Sequence, residues 1–309
     1  MVAALRHGSL DLAITGATGF VGARLLDAAL AAGHQVRALT RRPQPPCDDV
    51  TWVDGALDRP ASLDALVEGA DAVIHVAGVV NAPDAAGFEA GNVIGTGAML
   101  AAAEKAGTAR FVHVSSLAAR EPHLSLYGAS KARSETLVAA SSLFTAIVRP
   151  PALYGPGDRE LLEMFKMAAR GLVLLPPPGR LSLLHADDLV QLLLALAVPG
   201  APTGTTEPDD GRPGGWTHVE FAEALGFAVG RKVRTISMPK GIMTAAARAD
   251  RLLRGNKAKL TPDRAAYFCH PDWVADPAHA VPAAIWSAAI PTPQGLADTA
   301  TWYRSNDWL

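Results

Sequence analysis

Asp11-Leu12-Ala13-Ile14-Thr15-Gly16-Ala17-Thr18-Gly19-Phe20-Val21-Gly22 is the stretch whose reading decides the fold. Its first five residues read as a short buried strand, and the run continuing through Ala23-Arg24-Leu25-Leu26 reads as a helix. Between them, glycines stand at positions 16, 19 and 22. A bound dinucleotide needs these parts in this order. Gly16 permits a tight turn, Gly19 lets the backbone approach a pyrophosphate, and Gly22 lets the helix pack closely on the sheet. The helix start supplies free N–H groups and positive potential. An ordinary strand–turn–helix would use glycines in the same way, so the reading depends on the rest of the chain.

With 309 residues, 49% hydrophobic and 19% charged, the chain can form one large packed domain or two joined ones. A net charge of −2 gives no reason to expect nucleic acid or an anionic membrane as partner. Cys47 and Cys269 provide neither a disulfide framework nor metal-site spacing, so a reducing cytoplasmic compartment and no metal are expected. Met1–His7 does not read as a signal peptide. Leu189–Val198 is apolar but too short to span a membrane.

Further strands are expected at Gln35–Thr40, Val50–Val53, Asp71–Gly78 and Arg110–Ser116, with a helix around Asn92–Ala106. Strands alternating with helices predict an α/β fold, a Rossmann-type doubly wound parallel sheet. An NAD-preferring site places a carboxylate near the end of the second strand. Here Arg41 and Arg42 follow Thr40 instead, and two guanidiniums suit the 2′-phosphate of NADP. Tyr127 and Lys131 are four apart, so a helix stacks them on one face. A lysine ammonium beside a phenol favours phenolate, which would let Tyr127 exchange a proton near neutrality. Ser116, at the carboxyl end of its strand, can hydrogen-bond the same substrate oxygen.

These segments, in this order, resemble the extended or atypical short-chain dehydrogenase/reductase superfamily, which also holds epimerases and dehydratases. Thr15–Gly22 matches its T-G-x-x-G-x-x-G turn, His75-Val76-Ala77-Gly78 its H-x-A-[AG], and Asn92–Thr96 its N-V-x-G-T. Val114-Ser115-Ser116 matches the serine strand, and Tyr127–Lys131 matches Y-x-x-x-K. Arg149–Gly157 resembles R-P-x-x-x-Y-G-P-G, and His185–Leu189 resembles H-V-D-D-[LV]. The resemblance implies a Ser116–Tyr127–Lys131 catalytic triad, with Lys131 also holding the nicotinamide ribose. It implies cofactor contacts from Gly16, Thr18, Gly19, Phe20, Val21, Gly22, Leu57, Ala77, Gly78, Tyr127, Lys131 and Pro150, besides Arg41 and Arg42. A homodimer through the helices beginning near Asn92 and Tyr127 is also implied.

The chain departs from the family pattern in three places. Ala56 stands where the family often has an Asp near the adenine, so that contact must come from backbone or elsewhere. Only 11 positions separate Ser116 from Tyr127, which predicts a low rim on that side. Leu181, with Arg180 beside it, replaces the arginine that sugar-nucleotide members use for a pyrophosphate. A leucine there favours an apolar substrate.

Beyond a dinucleotide-binding region of residues 1–200, residues 201–309 are expected to form a smaller substrate-binding region. Pro199–Gly215 reads as a loop. Thr217–Ala228 reads as a helix with a Thr217/Glu220 capping box, and Val233–Pro239 as a strand. Lys240–Arg254 reads as a helix with Ile242, Met243, Ala246 and Leu252 near one face, for core packing or a lipid-sized pocket. His270 is assigned no chemistry. The expected activity is NADP-dependent interconversion of a ketone and a secondary alcohol on a small, largely apolar substrate, either steroid- or terpenoid-like or a long-chain keto-lipid. The alternatives are a nucleotide-sugar epimerase or dehydratase retaining NAD, and a non-catalytic NADP-binding subunit.

Overall fold

The computed structural model describes residues 8–255, 258 and 260–309; the expectation for Met1–His7 lies outside them. Strand β1 (Asp11–Thr15) is buried from its second residue onward and leads through the glycine turn into α1 (Phe20–Ala31). Strands β2 (Gln35–Thr40), β3 (Val50–Asp54), β4 (Ala72–His75), β5 (Arg110–Val114) and β6 (Phe144–Val148) come next. They join a seven-stranded sheet ordered Gly204–Thr206, β6, β5, β4, β1, β2, β3. Every pairing in it is parallel. β4 and β5 are buried along their whole length, as strands covered on both faces must be. Strand order reverses between β1 and β4, which opens a crevice beyond their carboxyl ends.

Helix α2 (Pro60–Val67) lies on one face of the sheet. The short α3 (Ala85–Phe88) runs through a π-helical segment, Glu89–Ile94, into α4 (Gly95–Ala106). Leu63, Leu66, Met99, Ala103 and Val138 of α5 (Leu126–Ala140) fill that face with Val73 and Phe111. On the other face, Leu25 and Ala29 meet Leu189, Leu192 and Leu193 of α7 (Ala186–Ala197). Leu189–Val198 is therefore mostly a buried helix.

A second core gathers Phe165 of α6 (Leu162–Arg170), Phe221 and Leu225 of α8 (His218–Ala228), and Leu296 and Tyr303 of α11 (Thr292–Ser305). It draws on residues both before and after position 200, because the chain leaves the sheet at Ala152–Tyr154 and returns to it at Gly204–Thr206. That returning strand corrects the expected loop at Pro199–Gly215. Three residues among Pro, Gly and Thr carry no alternation to mark a strand, and β6 supplies the pairing. The Thr217/Glu220 capping box forms with both of its hydrogen bonds. Helix α9 (Lys240–Arg254) has the expected bounds but buries only Met243 and Ala247, against α10 (Pro262–Phe268). Ile242, Ala246 and Leu252 are exposed, so the expected core face is mostly solvent-facing.

Gly22 holds α1 against the turn that ends β1. A Cβ there would stand 1.9 Å from the Gly16 carbonyl oxygen, so the close approach is to the turn's own backbone. Gly22→Ala should therefore lower stability by about 1–3 kcal/mol, as an overpacked core does. Gly241→Ala should lose none, since a Cβ at that helical position meets nothing within 4 Å. Thermal midpoints of the two variants test the contrast.

Candidate active site at the carboxyl edge of the sheet

In a parallel sheet every strand ends on the same edge, so residues far apart in sequence meet there. Gly16 to Gly22 follow β1, Arg41 and Arg42 follow β2, and Leu57 follows β3. Ala77 and Gly78 follow β4, Ser116 follows β5, and Pro150 follows β6. Tyr127 and Lys131 come to this edge on α5. The structure thus brings all the expected site residues to one side of the sheet.

The glycine turn is formed by a left-handed Gly16 (φ 74°), whose Cβ would collide with the Ala77 backbone nitrogen at 2.8 Å. The Gly19 N–H donates to the Gly16 carbonyl at 2.9 Å. Gly19 then caps α1 with no side-chain acceptor, and no acidic residue lies in the first turn. The N–H groups and positive end of α1 are left for an anion, as a pyrophosphate site requires. Arg41 and Arg42 are exposed, and neither guanidinium has a protein partner among the described residues. The Ala56 main chain is engaged by the Ser62 hydroxyl at 3.3 Å, and Leu57 lies half-buried against Gly95.

Buried polar groups brace the β4 loop. The Ala77 N–H donates to Thr15 Oγ1 at 3.1 Å, and Thr15 Oγ1 lies 2.8 Å from His75 Nδ1. His75 Nε2 lies 3.1 Å from Thr96 Oγ1, which donates to the Asn92 carbonyl at 2.7 Å. This order of donors assigns the proton to Nε2 and leaves imidazole neutral. Burial, then the Lys131 charge, agrees by pushing His75 down to about 3. His113, stacked on His75 at 5.5 Å, is held well below its ordinary value, chiefly by burial. The Asn92 side chain accepts from the Val79 N–H at 2.6 Å and donates to the Val79 carbonyl and to Ser130 Oγ. It sits in the π-helical segment, a geometry that the N-V-x-G-T spacing does not reveal.

Ser116 and Tyr127 are half-buried, whereas Lys131 is buried. Lys131 Nζ donates to the Val114 carbonyl at 2.7 Å, and burial brings its ammonium down to about 8 against the opposing pull of Glu135. The lowered phenol expected from the Tyr127–Lys131 spacing is not observed. Burial holds Tyr127 above its ordinary range, Ser116 hydrogen bonding opposes the rise, and the Glu160 charge adds to it. The two side chains share a helical face, but the ammonium is directed to the strand carbonyl.

Glu135 continues into a chain of charges that sequence reasoning missed. Arg149 grips it with both arms, at 2.9 and 2.6 Å, and Ser115 Oγ donates to it at 2.5 Å. Arg149 also donates to Glu207 at 3.1 Å, and Arg120 reaches the other oxygen of Glu207 at 3.1 Å. Arg149 opens the R-P-x-x-x-Y-G-P-G segment, but Glu207 sits in the Pro- and Gly-rich stretch and carries no signal. The expected low rim between Ser116 and Tyr127 is only a 3₁₀ turn, Leu117–Arg120, but α10 sits beside it. Asp263 accepts from the Leu126 N–H at 2.8 Å. Arg180 is tied to the carbonyls of Gly214 and Gly215, and Leu181 packs on the second core.

Residues 12–204 match the NAD dependent epimerase/dehydratase family. The chain belongs to that family. As an epimerase/dehydratase-family member within the extended short-chain dehydrogenase/reductases, it is an NAD(P)-dependent oxidoreductase. It is 40% identical to a ceramide reductase of Caulobacter vibrioides over 311 residues, covering 96% of each chain. The Bordetella bronchiseptica enzyme WbmG, solved with NAD and UDP, shares its fold at TM-score 0.75 and 18% identity, covering 97% of this chain and 96% of that one. A human epimerase family protein solved with NADPH does so at TM-score 0.73 and 19% identity, covering 94% and 99%. No helix among the described residues is long and apolar enough to cross a membrane.

Glu207→Ala would leave Arg149 and Arg120 without their shared buried carboxylate. Removing one partner of a buried ion pair costs about 3–5 kcal/mol, so this variant should melt well below the parent protein. An unchanged melting midpoint would show that the charge chain contributes nothing to stability.

Proposed function

We propose that this family member uses NADPH to reduce a keto group on a long-chain lipid of the ceramide type, giving the secondary alcohol. The observation that carries this reading is the end-to-end similarity to a ceramide reductase. The site's chemistry supports it. The reading assigns Ser116 to orient the carbonyl oxygen and Tyr127 to deliver the phenolic proton to it. Lys131 holds the nicotinamide ribose and presents positive charge beneath the site. The pyrophosphate is given to the α1 N-terminus with Gly16, Thr18, Gly19, Phe20, Val21 and Gly22, and the 2′-phosphate to Arg41 and Arg42. Leu57, Ala77, Gly78 and Pro150 line the rest of the cofactor groove. When bound, the nicotinamide supplies the hydride.

A phenol held above its ordinary range stays protonated through neutrality, as an acid catalyst for ketone reduction must. The Arg180 guanidinium is occupied by main-chain carbonyls, which disfavours a sugar diphosphate at that position. The homodimer belongs to the same proposal. It would cover Ile94, just before α4, and Leu137, in the last turn of α5, both of which are exposed.

Tyr127→Phe keeps the ring and removes the proton, so reduction should fall by about 10²–10⁴-fold while cofactor binding survives. Near-normal turnover would refute the acid role. The pH dependence has a definite sign. Reduction needs the neutral phenol, so its rate should hold through neutrality and fall as pH rises through the raised phenol value; alcohol oxidation should gain over the same window. Arg41→Ala with Arg42→Ala should erase an NADPH-over-NADH preference of roughly tenfold or more, because charge-assisted bonds contribute about 1.5–3 kcal/mol each. Equal affinity of the unaltered protein for both cofactors would overturn the NADP assignment.

A further inference from the structure

Helix α9 turns one face inward and leaves the opposite face bare. Met243 and Ala247 are buried against Ala265 of α10, with Met238, Leu260 and Cys269 around them. At about 100° per residue, Ala245, Ala249 and Leu252 fall opposite that face, and Ile242, Ala246 and Leu253 along the side adjoining it. All six are exposed, Leu252 and Leu253 at 87% and 85%. Two adjacent leucines so open to water are unusual beside a core this well filled.

The helix also carries its own charge. Lys240, Arg248, Arg251 and Arg254 are exposed on it, against one acid, Asp250, which Arg254 engages at 3.2 Å. A chain with a net charge of −2 therefore holds a locally cationic, apolar-tipped helix. That combination defines a helix that lies in the plane of a membrane interface, with leucines among the acyl chains and arginines at the headgroups. A second copy of the chain fits poorly, because face-to-face pairing would bring the guanidiniums of two such helices together.

The position of the helix adds to this. α9 rests on α10, whose Asp263 holds the start of α5, one residue before Tyr127. We propose that α9 docks this protein on an anionic lipid bilayer through Ile242, Leu252 and Leu253, with Arg248 beside them and Arg251 and Arg254 supplying positive charge from the polar side of the same helix. The bilayer then lies against the roof of the catalytic edge, where a lipid can pass beneath α9 and α10 without crossing water. The consequence for catalysis rests on the keto-lipid reading; the docking surface does not.

The test is co-sedimentation of the full chain with phosphatidylglycerol/phosphatidylcholine vesicles, without cofactor or substrate. The protein should bind these, fail to bind pure phosphatidylcholine vesicles, and be released by high salt. Leu252→Ser with Leu253→Ser should weaken binding by about tenfold or more while the melting midpoint is unchanged. Arg248→Ala with Arg251→Ala should weaken it mainly at low salt. Absence of binding by the parent protein, or equal binding by the leucine variant, would overturn the proposal. So would a dimer in light scattering that the leucine variant dissolves while vesicles fail to bind. Intact vesicle binding without turnover of a keto-lipid would count against the substrate reading alone.

Discussion

Glu207 has no exposed side-chain surface, and the arrangement of the catalytic edge depends on how its charge is met. It accepts from Arg149 at the end of β6, from Arg120 after the serine strand, and from the Asp276 N–H in the C-terminal region. Arg149 passes the charge pattern to Glu135, one turn beyond Lys131 on α5. A carboxylate this deeply buried is tolerable only when its hydrogen-bonding capacity is filled by charged donors. The filling ties the sheet edge, the catalytic helix and the tail to one another. It also explains how Lys131 keeps a value near 8 despite burial, since Glu135 pulls against desolvation.

The electrostatics of the edge divide into two zones. Behind the strands, His75 and His113 are neutral because burial and Lys131 both oppose their charging. Their role is geometric: His75 joins the Thr15 and Thr96 hydroxyls and so fixes the loop that carries Ala77 and Gly78. In front, the first turn of α1 holds no acid and, among the described residues, no carboxylate pairs with the two arginines after β2, so both present positive potential. A polyanionic cofactor suits the front zone, and a fixed proton inventory suits the back one.

Much of this is legible in the sequence because it rests on local rules. The glycine turn, the first five strands, the Thr217/Glu220 cap and the bounds of α9 follow from spacing and periodicity alone. The serine, tyrosine and lysine can be placed on one edge because parallel strands share a carboxyl end. The parts that cannot be read depend on tertiary partners. Gly204–Thr206 is a strand only because β6 offers an edge. Glu207 is a buried charge only because two distant arginines converge on it. Spacing puts Tyr127 and Lys131 on one helical face but does not reveal that burial raises the phenol or that the Val114 carbonyl takes the ammonium. Periodicity likewise identifies the apolar side of α9 without revealing that solvent lies against most of it.

On the proposed reading, this edge delivers a hydride to a lipid carbonyl and Tyr127 supplies the proton. Mass spectrometry of the product formed from a keto-ceramide and NADPH deuterated at the transferable position tests it directly. One deuterium is expected, bound to carbon at the new carbinol. An unlabelled product, or no reduction of the keto-lipid alongside turnover of a nucleotide sugar by retained cofactor, would contradict it.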